Sequence, residues 1–70
     1  MNGVKKLTAK KVTIINQTLD DYVKGYKLAH NKDEQRAVDY YCNQFLDVAV
    51  KDVTQRGVFM DYYDRHKRSI

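Results

Sequence analysis

Apolar residues recur at intervals of three and four along most of this chain, which is the period of amphipathic helices. Near the start of the pattern they fall within about 120° of a helical projection. They are Val12, Ile15, Leu19, Tyr22, Val23, Tyr26, Ala29 and His30. Thr8 precedes the pattern and is a suitable N-cap. The sequence predicts a first helix over residues 9–30.

A second start signal follows directly, because Asn31 can cap a helix and Glu34 stands three positions later. The apolar positions beyond it span about 180° of a helical projection, as expected of a central helix packed on two sides. They are Ala37, Val38, Tyr41, Cys42, Phe45, Leu46, Val48, Ala49 and Val53. Gly57 suits a C-terminal cap. We predict a second helix over residues 32–56, with Tyr41 facing the core.

A shorter third helix is predicted over residues 58–67, where the apolar arc consists of Val58, Phe59, Tyr62, Tyr63 and His66. The predicted fold is all-α, a small helical hairpin closed by this third helix. Residues 1–70 form one domain in this prediction, with a basic and flexible N-terminal arm over residues 1–8. Two strand alternatives remain, because residues 11–15 are rich in β-branched side chains and residues 45–53 alternate apolar with polar.

The short length limits what this chain can bury. Seventy residues bury only about 60% of the surface that the unfolded chain exposes, so a partner or a second copy could supply part of the stability. Cys42 is the only cysteine, which is typical of a reducing compartment. The sequence has no secretory signal pattern and no apolar run long enough to span a membrane. We expect a cytoplasmic protein without a membrane partner.

The net charge of +4 comes from the two ends of the chain. The bases that could contact phosphates are Lys5, Lys6, Lys10, Lys11, Arg65, Lys67 and Arg68. The step from Val53 to Gly57 and Val58 is similar to the turn of a helix-turn-helix motif. It departs from that motif where Phe59 and Met60 replace the polar residues that a recognition helix presents. Nucleic-acid binding through the basic ends is therefore the alternative function, behind a protein partner.

No group of residues has the spacing of a catalytic or metal site. Cys42 lies in the apolar arc of the second helix and is expected to be a buried, inert thiol. His30 and His66 lie near predicted helix ends, and the sequence contains no Cys-x-x-Cys, His-x-x-x-His or Glu-x-x-His pattern. Asp52 falls inside the predicted arc, where Arg56 or a tyrosine hydroxyl would balance it. We expect no enzyme activity, metal, cofactor or small-molecule substrate.

Several apolar residues point away from the predicted arcs and suggest a surface that binds protein. They are Ile14, Leu28, Tyr40, Val50 and Met60. Tyrosine and methionine are enriched at interfaces. The sequence therefore favours a non-enzymatic interaction module, an adaptor, regulator or inhibitor that binds a protein partner or forms a homo-oligomer. Proteins of this size without a catalytic set are often accessory proteins of phages or other mobile elements.

Overall fold

The computed structural model describes residues 8–69 and contains three helices, α1 (Ala9–Leu28), α2 (Lys32–Ala49) and α3 (Val53–Arg68). The predicted all-α fold, a hairpin closed by a shorter third helix, is confirmed. Residues 11–15 lie within α1 and residues 45–49 lie within α2. Both strand alternatives are therefore wrong. The predicted basic arm falls almost wholly on residues outside the described range.

Polar caps fix the starts of α1 and α2. The Thr8 hydroxyl accepts a hydrogen bond from the Lys11 backbone N–H at 3.1 Å. The Asn31 side chain accepts from the Glu34 N–H at 2.9 Å. The Glu34 carboxylate accepts in turn from the His30 N–H at 3.0 Å, one residue earlier than in a capping box. Both predicted caps are confirmed.

The junction between α2 and α3 lies earlier than predicted. α2 ends at Ala49, and the side chain of Asp52 caps α3 by accepting from the N–H groups of Thr54 and Gln55 at 2.8 and 3.1 Å. Gly57 lies inside α3, and no glycine in residues 8–69 has a positive φ. The predicted boundaries at residues 56 and 58 and the Gly57 cap are therefore wrong. The turn-like step of a helix-turn-helix lies within one continuous helix.

Contacts between aromatic and small residues show that α2 runs antiparallel to α1. The rings of Tyr22 and Phe45 lie 6.1 Å apart. Further along α1, a Cβ atom on Gly25 would lie 3.7 Å from a methyl group of Val38. Residue numbers rise along α1 as they fall along α2 in these two contacts, so the pair forms an antiparallel hairpin.

α3 packs parallel to α1. The Tyr62 hydroxyl donates to Asp20 at 2.9 Å, and the Lys27 ammonium donates to the Ser69 hydroxyl at 3.4 Å. The three helices enclose one core of buried side chains: Ile15, Leu19, Val23, Cys42, Leu46, Val50, Phe59 and Tyr63. α1 contacts both other helices extensively, whereas the contact between α2 and α3 is smaller. The central helix is thus α1, and the prediction that the second helix is the central one is wrong.

A polar network joins α3 to the hairpin. The hydroxyl of Tyr63, whose side chain is fully buried, donates to Asp39 at 2.7 Å. The Lys67 ammonium donates to the same carboxylate oxygen at 3.0 Å and lies 3.1 Å from Asp64. It also lies 4.9 Å from the ring centres of Tyr26 and Tyr63, within the range of cation–π attraction. The network holds α3 in register on one face of the hairpin.

Burial perturbs the titration of this network. Burial, followed by the hydrogen bond to Asp39, raises the pKa of Tyr63 above its ordinary value. Burial alone would lower the pKa of Lys67, but the hydrogen bonds to Asp39 and Asp64 outweigh it and raise the pKa. No buried side-chain nitrogen or oxygen in the described part of the chain lacks a hydrogen-bond partner. The network is therefore satisfied within the fold.

Candidate interaction surface

One face of the α1–α2 hairpin packs against α3, and the opposite face is uncovered in residues 8–69. On α2, Val38 and Phe45 face α1, and Asp39 faces α3. At 100° per residue, Ala37, Tyr41 and Val48 lie within about 40° of one another around the axis of α2. Their mean direction is about 70° from the direction of α1, on the side away from α3. α2 therefore carries an apolar stripe beside its core face.

α1 extends this surface. Ile14 and Leu28 lie about 50° and 90° around α1 from the direction of α2, again on the side away from α3. We call the five residues Ile14, Leu28, Ala37, Tyr41 and Val48 the open face. The four larger side chains are 50%, 77%, 60% and 74% exposed in that order, leaving out alanine. These apolar side chains contribute little to the core, so most of their area is available for binding.

The open face explains why Tyr41 was predicted wrongly. The sequence predicts that the apolar arc of the second helix is one core surface about 180° wide. In the structure it divides into a covered edge, which includes Cys42 and Leu46, and an exposed edge with Tyr41 and Val48. Tyr41 thus faces solvent, as Tyr40 beside it does, and their rings make an edge-on contact with centres 5.6 Å apart.

The five residues predicted to bind a partner have different environments. Ile14, Leu28 and Tyr40 are exposed, and Tyr40 is 59% accessible. Val50 is completely buried, because α2 ends one residue earlier and the extended chain turns this side chain into the core. Met60 is half-buried and packs against the core. The expectation of an outward Val50 and Met60 is wrong.

The bases predicted to contact phosphates differ in their exposure. Lys10 and Lys11 are exposed in the first turn of α1, and Arg68 is exposed at the end of α3. Arg65 forms an ion pair with Asp61 at 2.9 Å. The side chain of Lys67 is only 12% exposed, because the network described above encloses it. Lys5 and Lys6 lie outside the described residues.

The apolar face of α3 is rotated by about 60° from the predicted one. Val58 is exposed, and so is Val53, which was assigned to the second helix. Phe59 and Tyr63 are buried beside the half-buried Lys67. On the same helix His66 is exposed, although it was placed on the apolar arc. The two valines lie about 140° apart around α3, so they form no common stripe.

The candidate chemical groups are separate from the open face. Cys42 is fully buried, as predicted. Burial, and after it the negative charge of Asp39, raises the pKa of this thiol from its ordinary value of 9.0 to about 11. His30 lies 3.2 Å from Glu34, in the exposed turn before α2. Across residues 8–69, no three His, Cys, Asp or Glu side chains are grouped to hold a metal ion.

Asp52 has a structural role. It was expected to pair with Arg56 or a tyrosine, but its carboxylate caps α3. Arg56 instead lies 3.4 Å from Asp47 and donates to the Val50 carbonyl at 3.1 Å. None of the helices in the described range is both long and apolar enough to cross a bilayer.

Comparison with known proteins yields no relative. No protein-family model matches the chain, and no curated protein or solved structure matches it either.

Proposed function

We propose that this chain is a non-enzymatic helical interaction module that binds a protein partner through the open face. The observation that carries the proposal is the divided apolar arc of α2. One edge of this arc is covered by the core, and the other edge, with Tyr41 and Val48, is exposed. An apolar face that residues 8–69 leave uncovered gains from contact with another protein.

The composition of the open face supports protein binding. Tyr41 lies on the open face and its ring contacts that of the exposed Tyr40 beside it, and tyrosine is among the residues that most often anchor interfaces. Ile14, Leu28 and Val48 add exposed aliphatic side chains to the same face. Fully burying one such side chain contributes about 1.5–3 kcal/mol before the costs of association are subtracted. The face therefore offers apolar area that the partner of an adaptor, regulator or inhibitor would bury.

The test uses a photo-cross-linking amino acid at residue 41 and, as a matched control, at residue 58. Both positions are exposed apolar sites in the middle of a helix, so both substitutions are expected to change folding stability by no more than about 0.5 kcal/mol. Each protein is irradiated in extract of the source cell. Adducts from residue 41 and few from residue 58 are expected. Equal labelling from both sites, or labelling from residue 58 alone, would contradict the proposal.

Nucleic-acid binding remains the second proposal, with weaker support. The exposed bases Lys10, Lys11 and Arg68 favour it, but Lys67 and Arg65 are paired within the protein. Binding through phosphates would weaken steeply with salt concentration. We expect no appreciable affinity for duplex DNA or RNA at physiological salt. Tight binding with a steep salt slope would place this function first.

A further inference from the structure

The exposed stripe of α2 continues beyond its apolar members in a regular pattern. Its helical positions alternate in steps of three and four: Glu34, Ala37, Tyr41, Gln44 and Val48. The exposed Lys51 follows in the extended chain just past the helix end, next to the inward-facing Val50. All six residues are exposed. Steps of three and four are the spacing by which one helix packs along another. The stripe thus has the form of a second helix-packing seam, separate from the core.

This seam is complementary to itself when read in reverse. Two copies of α2 can lie antiparallel with the two-fold axis of the pair passing midway between residues 42 and 43. In this register Glu34 of one copy lies opposite Lys51 of the other. Ala37 then meets Val48, and Tyr41 meets Gln44. Each layer sets an acid against a base or a small side chain against a larger one, and the tyrosine hydroxyl meets an amide. We infer that the partner of the open face is a second copy of this chain, bound antiparallel through α2; this inference rests on the proposed function.

Charge decides between the two possible directions. In a parallel pair each seam residue would face its own copy, so Glu34 would meet Glu34 and Lys51 would meet Lys51. Like charges in such positions are destabilising. The antiparallel pair forms the Glu34–Lys51 contact twice, as the two-fold symmetry of a dimer requires. Alignment by charge therefore favours the antiparallel direction.

α1 adds to the same interface. Viewed down the axis of α2, the direction of α1 lies about 70° from the seam. In the two-fold pair the two α1 helices therefore lie on the same side of the two α2 helices and contact each other. The two hairpins together form a four-helix arrangement. The contacts of Tyr22 with Phe45 and of Gly25 with Val38 set the level of α1 against α2. At that level Ile14 of one copy lies within about one helical turn, 5.4 Å, of Leu28 of the other.

An acidic residue of α1, Asp21, also lies near a base of the other copy in this arrangement. Asp21 lies between Ile14 and Leu28, seven residues from each, and is exposed. In the antiparallel arrangement it arrives at about the level of Lys24 of the other copy. The whole open face, with contributions from both helices, is thus buried in one symmetric interface, and α3 stays on the outside of each hairpin.

The test exchanges the charges at the ends of the seam. Sedimentation velocity on the full chain, from about 1 μM to about 1 mM, measures the dimer dissociation constant. Glu34→Lys and Lys51→Glu are each expected to weaken the dimer at least about tenfold, because each variant places like charges at both ends. An equimolar mixture of the two variants has opposite charges at both ends. It is expected to form a heterodimer of nearly unmutated affinity.

Two controls keep the result interpretable. Glu34 also accepts a hydrogen bond from His30, so circular dichroism must show that Glu34→Lys is folded; Lys51→Glu carries the test if it is not. Val58→Arg changes an exposed apolar residue outside the interface and should leave the dimer unchanged. A chain that stays monomeric, or a dimer that neither charge exchange affects, overturns the inference. So does a mixture that does not recover affinity.

The outcomes also separate this inference from the proposed function. A monomer that still yields cross-links from residue 41 to another protein would overturn the second copy as occupant and leave the open face as a binding surface. A dimer that is indifferent to the charge exchanges and to Tyr41→Arg would place the dimer interface elsewhere and overturn this inference. If residue 41 then also gives no more cross-links than residue 58, the proposed function fails as well.

Discussion

The buried thiol of Cys42 should make the fold sensitive to alkali. Its pKa is raised from 9.0 to about 11, mainly by burial. Between these two pH values the unfolded chain releases the thiol proton and the folded chain retains it. The folded state therefore binds more protons, and the free energy of unfolding falls as the pH rises. A shift of about two pH units corresponds to about 2–3 kcal/mol of stability, present below pH 9 and lost by about pH 11.

Cys42→Ala isolates this contribution. The substitution removes the titrating group and leaves a small cavity whose cost does not depend on pH. Tyr63 and Lys67, whose pKa values are also raised, destabilise both proteins in alkali and largely cancel in the comparison. Urea unfolding followed by circular dichroism at a series of pH values from 8 to 11 measures both free energies.

We expect the unmutated protein to be more stable than Cys42→Ala at pH 8. The difference between their free energies of unfolding should decrease by about 2 kcal/mol as the pH approaches 11. Curves that remain parallel over this range would refute the reasoning, because they would show that the thiol titrates alike in the folded and unfolded states. An advantage that grows with pH would mean that the fold favours the thiolate.

Two further substitutions test the helices and the polar network. Gly57→Ala should stabilise the protein by about 0.5–1 kcal/mol, because Gly57 is helical and a Cβ atom there meets nothing within 4 Å; a destabilised variant in thermal or urea unfolding would indicate that α3 begins after residue 57. Tyr63→Phe should cost about 1.5–3 kcal/mol, because it removes the 2.7 Å hydrogen bond to Asp39. The exposed Tyr41→Phe is its control and should be neutral in urea unfolding of the dilute protein, and equal effects at the two sites would contradict the network.

The sequence predicted the starts of α1 and α2 because their caps are local. A cap needs one side chain within three residues of the backbone groups it satisfies, so Thr8 and Asn31 could be identified directly. The start of α3 carries a similar signal, with Asp52 three residues before Gln55. The sequence nevertheless predicts the start of α3 five residues too late, because Gly57 is expected to follow the end of the second helix, where glycine is common. The structure shows that it can also lie within a helix.

The orientation of α3 could not be predicted from the apolar pattern. Its buried face includes Lys67, and a lysine is ordinarily assigned to solvent. Lys67 is covered because Asp39, Asp64 and two tyrosine rings surround it. These partners come from all three helices, so no local pattern indicates them. The same limitation concealed the open face, because periodicity shows that a residue is apolar but not whether another helix covers it.

The open face follows from how three helices share one core. α3 is held to one side of the hairpin by Asp39, Tyr63 and Lys67, and in this position it covers the side of α2 that carries Cys42 and Leu46. The side with Tyr41 and Val48 would need a fourth helix, which the described residues do not provide. In the dimer that we propose, two copies joined through α2 would supply that helix to each other, and a single interface would complete both apolar arcs. The Glu34–Lys51 contact at the ends of the seam would then select the antiparallel direction, which is what the charge exchanges test.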